Sequence, residues 1–226
     1  MADKIAIQVT AVNNDTAVVY GAWQRYGQSA GAWQPLGAVV APALVDPPAD
    51  VLRDGSFIQL GAALFRRDWL ARVGGFDECI GIIQDVNLLL RIALAGGTFQ
   101  PCSSAAPLAY YRQLDGSLSR RSAREFGRDL LTNARTLHDW LLQADRLTEA
   151  RRQVLIASYA HIARASFRVD PETFEAAYGA LTELTPNGRY VPTAPRSLAV
   201  LAQLVGYRRA ETVAARYRDL KARLRR

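Results

Sequence analysis

Apolar residues follow two different spacings along the chain, and the change of spacing predicts two regions. Residues 16–23 and 58–65 are short apolar runs with β-branched and aromatic side chains, which is typical of buried strands. After Ser122, apolar residues recur every three or four positions, as they do on one face of a helix. We therefore predict an α/β domain over residues 1–120, with a small mixed sheet and flanking helices, followed by a C-terminal α-helical region over residues 121–226.

Weaker patterns fill the start of the first region. Ile5, Ile7 and Val9 alternate with other residues as in a strand. Residues 27–48 contain several Gly and Pro residues, so we predict a loop with one short strand there.

Two Gly-Gly pairs mark the ends of two predicted helices. The first helix covers residues 67–73 and ends at Gly74-Gly75, the expected place for a left-handed cap. The second covers residues 84–95 and ends at Gly96-Gly97. The chain then returns as a strand over residues 98–111, interrupted by two prolines.

The last predicted helix is amphipathic. Its apolar stripe, which we expect to pack against other helices, consists of Val213, Tyr217, Leu220 and Leu224. The opposite face is predicted to carry Arg208, Arg209, Arg216, Arg218 and Arg223. A solvated face is the commoner outcome for such a pattern, and the alternatives are an anionic membrane surface or nucleic acid. We expect no nucleic-acid partner and keep peripheral membrane contact as an alternative.

Composition narrows the classes of protein. The 226 residues carry a net charge of +7, supplied almost entirely by Arg. Arg recognises phosphate well. However, Arg replaces Lys throughout a chain that is also rich in Ala, which favours genome composition as the cause of the Arg content. No apolar run approaches the roughly 20 residues that span a bilayer, and the start has no signal-peptide layout. We expect cytoplasmic residence, with the inner face of the membrane as a possible site. Cys79 and Cys102 do not make a disulfide framework.

One block of the sequence carries candidate chemistry. Residues 74–78 read Gly-Gly-Phe-Asp-Glu, Gln84-Asp85 follow, and residues 88–93 read Leu-Leu-Leu-Arg-Ile-Ala. Asp85 opens a helix whose apolar face it shares, so its carboxylate is predicted to lean toward the sheet and to remain ionised at the helix N-terminus. From periodicity alone, a helix cap is the stronger interpretation of Asp85. For Asp77 and Glu78, a solvent-facing loop with Phe76 in the core is as good an interpretation as a binding site.

This block resembles the acceptor-side signature of the inverting family 2 glycosyltransferases, which have a GT-A fold. The resemblance covers residues 10–120 and implies that Asp85 is the catalytic base, with Asp77, Glu78 and Gln84 at the acceptor site. Residues 110–119 resemble a second family segment, in which Arg112 faces the diphosphate. The resemblance to the family also implies a helix followed by a strand at the start of the chain. Complete relatives use Mg²⁺ or Mn²⁺ with a nucleotide-sugar and transfer the sugar to a saccharide or lipid-linked acceptor, as in cell-surface polysaccharide biosynthesis.

The chain departs from the family pattern at an acceptor-site residue and at the residues that bind the nucleotide and its metal ion. Gln84 stands where the family usually has Glu, and Leu114 stands where it has a His that helps to hold the metal. The chain also lacks an Asp-x-Asp motif. We therefore predict no metal site and no cofactor in this chain, and no binding of UDP- or GDP-sugars at sub-millimolar concentration.

The resemblance leaves two functions from different classes. The chain is predicted to be of glycosyltransferase lineage, the acceptor-side portion without the nucleotide-binding half. The alternative is a truncated, non-catalytic binding or assembly module. Without the missing half, residues 16–23 and 58–65 are expected to be exposed, which favours a homodimer or a separate nucleotide-binding chain as partner.

Overall fold

The chain forms two compact units in the computed structural model. The residues that the structure describes are 3–29, 31–53, 55–114, 116–117, 121–185, 188–192 and 195–223. The first unit comprises residues 1–122 and 135–146, and the second comprises residues 123–134 and 147–226. Small sheets and several helices place the protein in the α/β class, as predicted.

The first sheet is built around β1 (Thr16–Tyr20), which is buried along its whole length. Strand β4 (Ala63–Phe65) pairs with β1 in antiparallel orientation, and β5 (Thr98–Pro101) pairs with it in parallel. The sheet is therefore mixed, with the order β4-β1-β5. The prediction that residues 16–23 would be exposed at a sheet edge is wrong for β1, because β1 has a neighbour on each side.

The segment expected to be the second buried strand is largely a turn. A turn of 3-10 helix occupies Leu60–Ala62, and only the last three residues of the segment form strand β4. Ile58 and Ala62 are fully buried. The expectation that residues 58–65 would be widely exposed is therefore also wrong.

The second sheet replaces a predicted loop. Strands β2 (Trp23–Ser29) and β3 (Ala32–Val40) form an antiparallel hairpin, and β6 (Ala109–Arg112) pairs with β2 in parallel. The prediction of a loop with one short strand at residues 27–48 is wrong in extent, because strands occupy most of this segment up to residue 40. Pro35 is compatible with β3 because β3 is an edge strand of the order β3-β2-β6, where a missing N–H need not leave a partner unpaired.

The core of the second sheet forms around an aromatic residue of β2. Trp23 is buried with Ala62 and Leu108, and its indole N–H donates to the carbonyl of Phe57 at 2.9 Å. The rings of Phe57 and Tyr111 contact Trp23 edge to face, with centroids 5.6 and 5.8 Å away. The single strand predicted over residues 98–111 is thus two strands, β5 and β6, in two different sheets.

Four α-helices lie in the described residues of the first region. They are α1 (Lys4–Thr10), α2 (Pro47–Asp50), α3 (Arg67–Arg72) and α4 (Gln84–Leu94). The strand suggested by Ile5, Ile7 and Val9 is wrong. Helix α1 buries Gln8, whose amide N–H donates to the carbonyls of Val19 and Ala62, while Ile5 and Val9 face solvent.

The second region is helical, as predicted. Its helices are α5 (Ala123–Gln143), α6 (Glu149–Ser166), α7 (Pro171–Leu184), α8 (Arg196–Val205) and α9 (Tyr207–Arg223). Helix α5 contributes residues to both compact units. Leu155 and Ile162 of α6 and Leu181 of α7 are fully buried in the second unit. Asp170, just before α7, accepts from Arg128 at 2.7 Å and from Thr173 at 2.9 Å.

The predicted packing of the last helix is wrong. Val213, Tyr217 and Leu220 are each more than half exposed, and Leu224 lies outside the described residues. Helix α9 is instead buried through Tyr207, Ala210 and other residues of its opposite side. No helix in the described part of the chain is long and apolar enough to cross a membrane.

Candidate functional site

The Gly-Gly pair after α3 forms the predicted cap. Gly74 and Gly75 have φ angles of 76° and 71°, which residues with a side chain rarely adopt. The N–H of Gly75 donates to the carbonyl of Leu70 at 2.9 Å, and that of Gly74 donates to Ala71 at 3.2 Å. This is a Schellman motif, which ends α3 and turns the chain toward the loop before α4.

The loop over residues 76–83 holds the first two acidic candidates. The carboxylate of Asp77 accepts from the backbone N–H of Cys79 at 2.9 Å, and Glu78 is exposed. Phe76 is 49% exposed, so the prediction that it lies in the core is wrong. The loop is anchored by buried isoleucines, which are Ile80, Ile82 and Ile83.

Arg91 of α4 fastens the Gly-Gly turn to the helix. Its guanidinium donates to the side-chain oxygen of Asn87 at 2.8 Å and to the carbonyl of Gly75 at 2.5 Å, and it also donates to the carbonyl of Val73. Asn87 is buried. Arg91 therefore fixes the loop that carries Asp77 relative to the helix that begins with Gln84. The (i, i+4) spacing of Asn87 and Arg91 was a sequence signal for this pair.

Asp85 lies in the first turn of α4 and is half-buried. One carboxylate oxygen accepts from the backbone N–H of Val86 at 2.8 Å. Burial raises the pKa of Asp85 and outweighs the backbone hydrogen bonds, which lower it. That the carboxylate remains ionised at the helix N-terminus stays a prediction, because burial acts against the charged form. The hydrogen bonds that it accepts come from backbone N–H groups, and no described side chain donates to it.

Gln84, the residue before Asp85, carries a second hydrogen-bond acceptor. Its side-chain oxygen Oε1 is buried and has no hydrogen-bond partner among the described residues. Buried polar atoms nearly always have a partner, so an orphaned oxygen next to a desolvated carboxylate needs an explanation. Both groups are hydrogen-bond acceptors, so what they lack is a donor.

Arg112 lies at the end of β6 and is exposed. It pairs across the second sheet with Tyr26, and no hydrogen bond or ion pair joins it to Asp85 or Gln84 in the described part of the chain. The structure therefore gives Arg112 different neighbours from the other candidates, which lie on α4 and the loop before it.

Three aromatic residues form a row on the sheet that carries Arg112. The ring of Tyr26 lies 5.9 Å from that of Trp33, nearly parallel to it, and 5.1 Å from that of Tyr110. Trp33 and Tyr110 are 41% and 45% exposed. Because Tyr110 and Arg112 are two residues apart on one strand, they lie on the same face. The sequence did not predict this row, since the hairpin resembled a loop.

Ligands for a metal ion do not cluster in the described residues. No group of three or more His, Cys, Asp or Glu side chains lies close enough together there to hold one. Leu114, which stands where the family has a His, is exposed.

The chain matches no protein-family model, no curated protein and no solved structure. Functional inference therefore depends on the residues and their geometry.

Proposed function

We propose that the first unit binds a saccharide hydroxyl at the start of α4 and that the chain is of glycosyltransferase lineage. The observation that carries this proposal is the pair of acceptors at Gln84 and Asp85. Among the described residues, one is a buried oxygen without a donor, and the other is a carboxylate with a raised pKa to which no side chain donates. The mixed β4-β1-β5 sheet beside α4 supports comparison with the acceptor half of a GT-A fold.

In this proposal Asp85 acts as the general base. The acceptor hydroxyl donates to Asp85, its oxygen attacks the anomeric carbon of a nucleotide-sugar, and the bond to the diphosphate breaks. The hydroxyl proton passes to the carboxylate. A base is most effective when its pKa is close to the working pH, so the upward shift caused by burial favours this role. Gln84 orients the acceptor sugar through Oε1, and Asp77 and Glu78 border the site.

In this proposal, the nucleotide-sugar is bound by groups other than those at the start of α4. Arg112 has no hydrogen bond or ion pair to Asp85 among the described residues, so a diphosphate there would need a partner chain or a further segment. Such a partner would supply the Mg²⁺ or Mn²⁺ that complete relatives of the family use. We place the activity in the cytoplasm, where the acceptor is a saccharide or a lipid-linked saccharide.

A second candidate function is carbohydrate binding without catalysis. The observation that favours it is the row of Tyr26, Trp33 and Tyr110, in which Trp33 and Tyr110 are exposed. Aromatic rings offer flat apolar area at low entropic cost, and the C–H face of a pyranose can lie against such a ring. Gln24 and Gln28 each lie two residues from Tyr26 on β2, so their amide groups are on the same face of the sheet as its ring.

A saccharide-binding measurement separates the two candidates. Saturation-transfer NMR with methyl glycosides of glucose, galactose, mannose and N-acetylglucosamine reports weak binding directly. We expect transfer to at least one glycoside, with Gln84→Ala abolishing it and Trp33→Ala leaving it unchanged. Loss with Trp33→Ala alone would favour the binding module. The matched control is Gln143→Ala, which removes an exposed glutamine. No transfer to any glycoside at millimolar concentration would refute both candidates.

A further inference from the structure

Helices α8 and α9 expose an unusual amount of apolar surface. Leu204 of α8 is 76% exposed, more than is common for a leucine in a folded domain. The other exposed large apolar residues of these two helices are Val200, Val205, Val213, Tyr217 and Leu220. Val213, Tyr217 and Leu220 are spaced by four and three residues, so they form one exposed apolar stripe on α9, and an exposed apolar patch often marks an interaction site.

Cations share this exposed face of α9. Arg209, Val213, Arg216 and Leu220 follow one another at spacings of four, three and four residues, so they lie on one side of the helix. The sequence interpretation, which put the arginines on the opposite face, is wrong for Arg209 and Arg216. Both arginines are exposed and have no ion pair among the described residues. Lys221, in the last turn, is also exposed.

The buried side of α9 explains why the apolar residues face outward. Tyr207, Ala210 and Ala215 are buried, and the fully buried Glu211 forms an ion pair with Arg218 at 2.5 Å. A buried, paired carboxylate fixes the rotation of the helix, because turning Val213 inward would bring Glu211 out and break that pair. The exposed stripe is therefore a stable feature of the folded unit.

We propose that the exposed faces of α8 and α9 bind the surface of an anionic lipid bilayer. An interfacial helix places apolar side chains at the headgroup boundary, while Arg and Lys extend to the lipid phosphates. Helix α9 has six basic and two acidic residues, which matches a negative surface. Nucleic acid would pair with the cations but leave Leu204 and Val213 in water, so the apolar residues favour lipid.

Vesicle sedimentation with the full-length chain tests this proposal. We expect binding to vesicles of phosphatidylglycerol and phosphatidylcholine, and none to pure phosphatidylcholine. Removing two cations in Arg209→Gln/Arg216→Gln should weaken binding roughly thirtyfold, since each cation near an anionic surface contributes about 1 kcal/mol. Val213→Ser/Tyr217→Ser/Leu220→Ser should weaken it by at least about a hundredfold, because the side chains no longer insert.

The control variant is Val45→Ser. Val45 is 94% exposed and lies outside α8 and α9, so its replacement should leave binding unchanged. All the substituted residues are exposed, and circular dichroism should show unchanged helix content. The proposal is overturned if the chain ignores anionic vesicles, if neutral vesicles bind it equally, or if the serine variant binds like wild type. It is also overturned if light scattering shows a dimer that the serine variant dissociates, because the face would then be an interface between copies.

Discussion

Asp85 is held in a way that a purely structural residue would not need. A helix cap gains stability when its carboxylate is charged and solvated, whereas burial raises the pKa of Asp85 and so disfavours its charged form. Gln84 adds a buried oxygen without a donor directly before it. A buried oxygen without a donor and a carboxylate whose charged form is disfavoured are both costs to the folded state, and such costs concentrate at sites that bind or react.

Replacing Asp85 with Asn should therefore stabilise the chain at neutral pH. Because the folded state raises the pKa of Asp85, folding is favoured by protonation, and this group makes the wild type less stable as the pH rises through that pKa. Asn is neutral at every pH. The melting temperature of Asp85→Asn should exceed that of the wild type near pH 7, and the difference should shrink toward about pH 4.

Thermal melts across this pH range provide the measurement. Asp77→Asn is the control, because Asn can still accept from the N–H of Cys79 and should change the melting temperature little. A lower melting temperature for Asp85→Asn at neutral pH would show that the carboxylate is a structural cap. The case for Asp85 as a base would then lose its support.

Among the secondary-structure elements, features set by neighbouring residues could be predicted from the sequence, and features set by distant residues could not. Gly74-Gly75 and Gly96-Gly97 both end helices, because a left-handed cap depends on only a few neighbouring residues. The β2–β3 hairpin was missed because Pro35 and Gly37 of β3 are tolerated by an edge strand, and edge position is decided by the sheet. The outward face of α9 was missed for a related reason. Its orientation depends on the buried Glu211, which spacing alone would assign to solvent.

Arg91 should matter to the loop more than an ordinary surface arginine does. Arg91→Ala removes donors to two backbone carbonyls and to Asn87, and we expect a loss of about 2 kcal/mol in the free energy of unfolding. Hydrogen exchange should also accelerate over residues 74–83, because the Arg91 guanidinium holds the carbonyl of Gly75 to α4. Urea unfolding and exchange mass spectrometry measure the two effects.

The matched substitution is Arg67→Ala, which removes an exposed arginine of α3. It should change neither the unfolding free energy by more than about 0.5 kcal/mol nor the exchange of the loop. Equal effects of the two substitutions would mean that Arg91 does not hold the loop.

The whole molecule has two cores. Leu90 is fully buried in the first unit and Leu155 in the second. The earlier reason to expect a homodimer has weakened, because β1 is covered by β4 and β5. Association remains a prediction that light scattering across a concentration series can test.

Truncating each core separately should show whether the units unfold independently. Leu90→Ala and Leu155→Ala should each cost about 2–5 kcal/mol, the usual range for a buried leucine. With independent units, Leu90→Ala should accelerate hydrogen exchange in α4 but not in α7, and Leu155→Ala should do the reverse. Acceleration of both helices by both substitutions would contradict independence and indicate one cooperative structure that includes α5.

The central position of β1 has a consequence during protein synthesis. Thr16 pairs with Thr98, so this strand cannot gain its parallel neighbour until the ribosome has added more than 80 further residues. At about 5–20 residues per second, that interval lasts several seconds. Meanwhile Thr-Ala-Val-Val-Tyr is an uncharged segment with high β propensity, the kind that pairs with identical copies on neighbouring nascent chains. Premature termination before residue 98 would leave that segment without its parallel neighbour, making such fragments clients for chaperones or proteases.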